Sequence, residues 1–280
     1  MVFEILEFGF MQRALIAAVA VAITSSVIGL FLVLRRNSLF GDALSHVAFG
    51  GIAVGLVANI YPLWTGMAFS VLGALGIAKL RQSGRIPADA TVAILLASGL
   101  ALGIVLLSGF DERGVDLNSF LFGSILLVSV EDTLAILAMA GAIIAIIILH
   151  YRQLMYVTFD EEQAKVSGLQ ISKLNYLFVV LASVSVIVSM RLVGILLVSA
   201  LIVIPNITAL LFGRGFKKTA LISVGMSIFS VVAGITVSYA ANLAPAGTIV
   251  LMSTAVFLAT LAAKHFSRKQ TVEKLEAAKS

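Results

Sequence analysis

The feature that most limits what this chain can fold into is a succession of apolar runs, nine in all, separated by short polar or basic stretches. A helix crossing a bilayer needs roughly 17–25 predominantly apolar residues, because each residue adds about 1.5 Å to a hydrocarbon core about 30 Å thick. The runs are Phe10–Leu34, Leu39–Ala58, Leu63–Ala78, Ala90–Gly109, Asp132–His150, Leu174–Met190, Leu192–Phe212, Ala220–Ala241 and Ile249–Ala263. A tenth segment, Ser119–Val130, is too short to cross and reads as a re-entrant or interfacial helix. Of the 280 residues 60% are hydrophobic and 12% charged, against about 25% charged in soluble domains. Water could not tolerate that much apolar exterior; lipid can. The fold class is therefore all-α, a polytopic transmembrane bundle of eight or nine spans.

The distribution of charge orients the bundle. Arg35-Arg36, Lys79–Arg85, Arg152–Lys173, Arg214–Lys218 and Lys264–Lys269 all fall on one side when nine runs cross, and the acidic segment at Asp111 falls on the other. Basic loops are retained in the cytoplasm, which places the chain in the cytoplasmic (inner) membrane as a multi-pass protein. Its N-terminus is outside if nine runs cross, and eight spans is the alternative count. The net charge of +5 follows from these basic loops and does not point to nucleic acid. The opening Met1–Gln12 carries Glu4 and Glu7 and no basic residue, unlike the start of a cleavable signal peptide. With no cysteine, disulfides, thiolate metal sites and cysteine nucleophiles are excluded. Residues 1–264 form one transmembrane domain and 265–280 a polar cytoplasmic tail.

Two segments carry chemistry. Asp42 and His46 are four residues apart, one turn on one face of a helix. Counted from Arg36 they lie roughly 9 and 15 Å into the membrane. Ionisable groups at such depth mark a pathway or a site by default. A carboxylate with an imidazole suits zinc, manganese or ferrous iron and is poorly matched to calcium or magnesium; two copies of the chain would bring four ligands. The bland alternative is an Asp–His pair that pins two helices. The second segment is Thr158–Leu169, polar in so apolar a chain. Thr158 or Asp160 is placed to cap a helix, Glu161 and Glu162 suit its first turn, and Gly168 is placed to end it. It is either a solvated connector or a helix on which a cytoplasmic partner docks.

Other polar positions are less specific. Glu131 and Asp132 open a run on the outer side, where they attract cations or cap the helix. Pro205, with Asn206 and Thr208 beside it, is either a structural kink or a pore-lining discontinuity. Ser183, Ser185 and Ser189 line a polar path or pack helices together. His150 and His265 adjoin basic residues at the cytoplasmic boundary and read as interface residues. Gly213-Arg214-Gly215-Phe216-Lys217-Lys218-Thr219 has the wrong spacing for a phosphate-binding loop and follows no strand, so ATP hydrolysis is not read from this chain.

Taken together, several segments resemble the integral permeases of zinc, manganese and iron ABC importers. They are Leu34-Arg35-Arg36-Asn37-Ser38-Leu39-Phe40-Gly41-Asp42-Ala43-Leu44-Ser45-His46, Leu121-Phe122-Gly123-Ser124-Ile125-Leu126, Phe159-Asp160-Glu161 with Ala164 and Gly168, and Val193–Val198 through Pro205. The resemblance spans about Phe10–Lys264 and implies a type II ABC importer-like bundle. It implies a metal path past Asp42 and His46, and contact with the ATPase through Phe159, Asp160, Glu161, Ala164 and Gly168. The partners implied are a separate cytoplasmic ABC ATPase, an extracytoplasmic metal-binding protein, a second copy of the chain, and membrane lipid. No cofactor is bound permanently; the divalent ion is cargo. The chain departs from the family after His46, where Val47-Ala48-Phe49-Gly50-Gly51 replaces a Pro-Gly pattern, and a less kinked helix is expected there. Two other classes are weighed. A proton-coupled secondary transporter would carry an inverted repeat, and none is visible. An intramembrane metalloenzyme would require a third ligand and a general base, and no motif supplies them.

Overall fold

The computed structural model describes residues 9–82, 87–109, 123, 129–195 and 198–277, and among them there are helices and no strand. The helices are α1 (Gly9–Leu34), α2 (Phe40–Ala58), α3 (Pro62–Gln82), α4 (Ala88–Ser108), α5 (Val130–Leu149), α6 (Tyr151–Phe159), α7 (Glu161–Val166), α8 (Ile171–Val193), α9 (Val198–Leu210), α10 (Phe216–Ala241) and α11 (Pro245–Ala277). Eight of them, all but α6, α7 and α9, are long and apolar enough to cross a membrane. The short segment expected within Ser119–Val130, the acidic loop at Asp111 and most of Leu121–Leu126 lie outside the described residues.

The run Leu192–Phe212, expected to cross as one helix, is divided. α8 extends through Val193, Gly194 takes a left-handed φ of +78° outside any helix, and α9 is described from Val198. The remaining 13-residue α9 is about 20 Å long and cannot cross a hydrocarbon core of about 30 Å by itself. Direction is nevertheless conserved. The Phe216 ring at the start of α10 packs against Phe31 near the end of α1 and Tyr151 just after α5, at centroid distances of 5.1 and 5.7 Å. Lys264 of α11 lies 5.2 Å from the Phe212 ring. The basic residues at these ends therefore gather at one end of the bundle, which the charge rule makes cytoplasmic. α8 starts at that end and α9 returns to it.

Apolar side chains are used on both sides of the bundle wall. Phe31, Leu44, Ile77, Phe178, Ile187 and Ile202 fill a core among α1, α2, α3, α8 and α9, while Ala14, Ala17, Val21, Ile136, Val231 and Ile249 fill a second among α1, α5, α10 and α11. Leu72, Val105, Leu149, Leu221 and Leu251 are instead largely exposed, as lipid-facing residues are. Buried hydroxyls tie the helices together, since lipid offers no hydrophobic drive between them. Ser25 and Ser189 lie 2.7 Å apart across α1 and α8. Ser26 of α1 donates to Ser223 of α10 at 2.8 Å, and Ser223 donates to Asn206 of α9 at 2.7 Å. At Gly29 of α1 a Cβ would collide with the Ile202 carbonyl oxygen and the Asn206 amide, so that crossing requires glycine.

Candidate functional site

Asp42 and His46 sit on α2, and the way α1 ends decides their height. Asn37 N–H donates to Leu32 O at 2.8 Å and Arg36 N–H to Val33 O at 3.0 Å, with Arg36 left-handed at φ 56°. This is a Schellman closure built on a non-glycine residue. Because the chain turns over residues 35–39 before α2 begins at Phe40, Asp42 falls in the first turn of α2. Along the helix axis Asp42 and His46 are about 3 and 9 Å from Phe40, shallower than a continuous rise from Arg36 gives. α2 then runs unbroken from Phe40 to Ala58.

His46 Nε2 lies 3.8 Å from Asp42 Oδ1, too far for a hydrogen bond. His46 is buried, whereas 25% of the Asp42 side chain remains exposed. His46 Nδ1 is also buried and has no hydrogen-bond partner among the described residues. The two side chains thus share a face without satisfying each other, which does not fit a pair whose purpose is to pin helices. The same turns adjoin the break between α8 and α9. Ser45 Oγ donates to Asp42 O at 2.8 Å and to Ile195 O, in the broken segment, at 3.3 Å. Among the described residues no group of three or more His, Cys, Asp or Glu side chains converges, so no third such side chain joins Asp42 and His46 there.

α4 holds the backbone of this turn directly. A Cβ on Gly99 would stand 2.6 Å from Val47 N and 2.7 Å from the His46 carbonyl carbon, and one on Gly50 would stand 2.9 Å from Gly99 O. Backbones this close leave no room for a side chain. α3 approaches the same helix: a Cβ on Gly73 would stand 2.9 Å from the Val47 side chain.

The polar segment is a short helix with different boundaries from those expected. Thr158 does not cap it: Thr158 belongs to the last turn of α6, where its hydroxyl donates to Leu154 O at 2.6 Å. Asp160 is the cap, accepting from Gln163 N–H at 2.9 Å, and α7 is six residues long. Gly168, at φ +81°, completes a Schellman end, with Gly168 N–H to Lys165 O at 3.1 Å and Leu169 N–H to Ala164 O at 3.2 Å. Ala164 is fully buried against Val157 and Leu174, and this small cluster anchors the helix. Around it Glu161, Glu162, Lys165 and Val166 (90% exposed) face outward, as does Phe159 at 62%.

Sequence reading missed how Arg35 links these two regions. Arg35 Nε donates to Thr158 Oγ1 at 2.9 Å, and its Nη1 donates to Asn175 Oδ1 at 3.0 Å. Asn175 in turn donates to Glu161 Oε1 at 3.5 Å. The guanidinium also lies 4.5 Å from the Phe178 ring centroid. Burial pushes its pKa down from the ordinary arginine value to about 10, against the Glu161 carboxylate, which raises it. Only the placement of Arg35 at the end of an apolar run was legible, and that placement reads as a topology signal.

The remaining candidates take plain roles or stay apart from this region. Ser129 and Asp132 form a capping box, with Asp132 N–H to Ser129 Oγ at 3.0 Å and Ser129 N–H to Asp132 Oδ2 at 3.4 Å, and Glu131 is exposed in the same first turn. Pro205 is buried inside α9, which remains helical through it. Asn206 donates to Ile202 O and Thr208 to Ile204 O, each at 2.7 Å. The break in helical structure beside α2 comes at Gly194, not at Pro205.

Comparison with known proteins agrees with this architecture. The chain is 34% identical over 269 residues to "Manganese transport system membrane protein MntC" of Halalkalibacterium halodurans, covering 96% of this chain and 91% of that protein. It is 32% identical over 260 residues to "Probable iron transport system membrane protein" of Haemophilus influenzae, covering 92% and 95%. The solved structure titled "PsaBC from Streptococcus pneumoniae in complex with Fab" superposes with a TM-score of 0.84 at 32% identity, covering 93% of this chain and 95% of that one. Residues 7–264 match the model of the family described as "ABC 3 transport family". With the match running through all eight long membrane helices, this multi-pass membrane protein belongs to the ABC 3 transport family.

Proposed function

We propose that this chain is the membrane permease subunit of an ATP-driven importer that moves a divalent transition metal (manganese, iron or zinc) across the cytoplasmic membrane by alternating access. The observation that carries the reading is the Asp42–His46 face. It presents a partly exposed carboxylate and a buried, unsatisfied imidazole nitrogen beside a break in helical structure, a ligand chemistry suited to such ions. Broken helices at transport sites serve the same end, because unwound carbonyls can face a cavity there. Relatives of similar identity are named for manganese and for iron, so overall identity does not select the metal.

Two ligands per chain make a weak site, as a permease requires if the ion is to leave, and a second copy related by a two-fold axis would complete a set of four. The ATPase would be a separate cytoplasmic chain docked on the segment of Phe159, Asp160, Glu161, Ala164 and Gly168, in which the buried Ala164 anchors the exposed residues around it. An extracytoplasmic metal-binding protein would deliver the ion from the other side. No permanently bound cofactor is required. The deciding experiment reconstitutes the chain with its ATPase in liposomes and follows metal entry. Uptake that requires ATP and the ATPase, and that is lost in Asp42→Ala and His46→Ala, is the expected result. Uptake by the chain alone under a proton gradient would overturn the proposal in favour of a secondary transporter.

A further inference from the structure

We infer that Arg35 is a positioning residue that carries displacement of the docking helix α7 to the α1–α2 turn, and through that turn to Asp42 and His46. This rests on the permease reading above. The connection is physical at every step. Glu161, the first residue of α7, accepts from Asn175 at 3.5 Å. Asn175 and Thr158 both accept from Arg35, at 3.0 and 2.9 Å. From Arg35 the chain passes through a turn closed by Asn37 N–H to Leu32 O and Phe40 N–H to Asn37 O, at 2.8 and 3.1 Å. Asp42 then follows in the first turn of α2. α6, α7, α8 and the α1–α2 turn are thereby tied by one side chain, at the end of the bundle where a cytoplasmic ATPase would push.

The arrangement is suited to movement as well as to holding. Arg35 meets neutral acceptors, and its Nη2 is buried with no partner among the described residues. The Glu161 carboxylate acts on the guanidinium through its charge and is hydrogen-bonded to Asn175. A cavity of ≈ 550 Å³ lies alongside, lined by Arg35, Asn37, Thr158, Glu161, Asn175 and Phe178 among others. A shift of α7 that brings Glu161 toward the guanidinium would exchange neutral hydrogen bonds for an ion pair, a second arrangement of the same parts. Lysine keeps the charge but lacks the planar fork that reaches Thr158 and Asn175 together, so charge and connection can be tested apart.

The experiment uses the full chain assembled with its ATPase in liposomes, with manganese as the transported probe, and measures metal moved per ATP hydrolysed. Arg35→Lys is expected to lower that ratio by about tenfold, the shift expected when one charge-assisted hydrogen bond stops distinguishing two states. Thr158→Val, of matching shape, is expected to lower it in the same direction by about threefold. A lower melting temperature with an unchanged ratio in both variants would make Arg35 a structural tie and overturn the inference. If Arg35→Lys does not assemble, Thr158→Val decides by the same criterion. A wild-type complex that moves none of manganese, iron and zinc with ATP refutes the permease reading itself, a result distinct from either.

Discussion

Gly99 offers the sharpest test of how the site is held. In Gly99→Ala the new Cβ would be 2.6 Å from Val47 N and 2.7 Å from both the His46 carbonyl carbon and Val47 Cα. Ordinary contact begins near 3.4 Å, so α2 and α4 must separate by about 0.8 Å, the difference between 3.4 and 2.6. All three opposing atoms are backbone, and no rotamer change relieves them. Overpacking of this kind costs about 1–3 kcal/mol, and the displaced turn is the one that carries His46. We expect a fall in melting temperature of several degrees in detergent. We also expect uptake to fall by a larger factor than stability alone explains, since misplacement of about 1 Å can cost about a hundredfold. Gly141→Ala is the matched control: nothing lies within 4 Å of its Cβ, and removing a mid-helix glycine should leave stability unchanged or raise it by up to about 1 kcal/mol. Thermal unfolding and uptake measured on both variants decide the matter. If Gly99→Ala matches Gly141→Ala in both assays, α4 does not set the position of His46.

Metal binding by detergent-solubilised protein, followed by isothermal titration, is expected to weaken as pH falls through the imidazole range, because a proton and a metal compete for His46. His46→Gln should abolish that dependence, and an unchanged pH profile would remove His46 from the path. Gly168→Ala forces a side chain into a φ of +81°, a conformation that costs about 1–2 kcal/mol for residues other than glycine. It should fray the end of α7 and weaken co-purification with the ATPase, while wild-type retention would show that the Schellman end is dispensable. Arg36→Gly relieves a left-handed φ of 56° at an exposed position and should raise thermal stability by about 1 kcal/mol; a lower melting temperature would mean that the Arg36 side chain matters more than its backbone.

The sequence by itself determined the class of fold, because apolar runs of membrane length and one-sided basic loops are local properties that each segment carries alone. It also placed Asp42 and His46 on one helix face and located the short polar helix, since four-residue spacing, a capping acid and a terminal glycine are read within one turn or two. Only the tertiary structure decided the rest. The height of the pair depends on a turn closed by a left-handed Arg36, a residue type that gives no such signal. The break at Gly194 sits inside a run that composition makes continuous, while Pro205, the residue that advertises a break, is accommodated within α9. Arg35 gathers Thr158 and Asn175 from more than a hundred residues away, and Gly99 touches the backbone beside His46 from another helix. No periodicity in one segment encodes such contacts, because each depends on which helices become neighbours once all have packed.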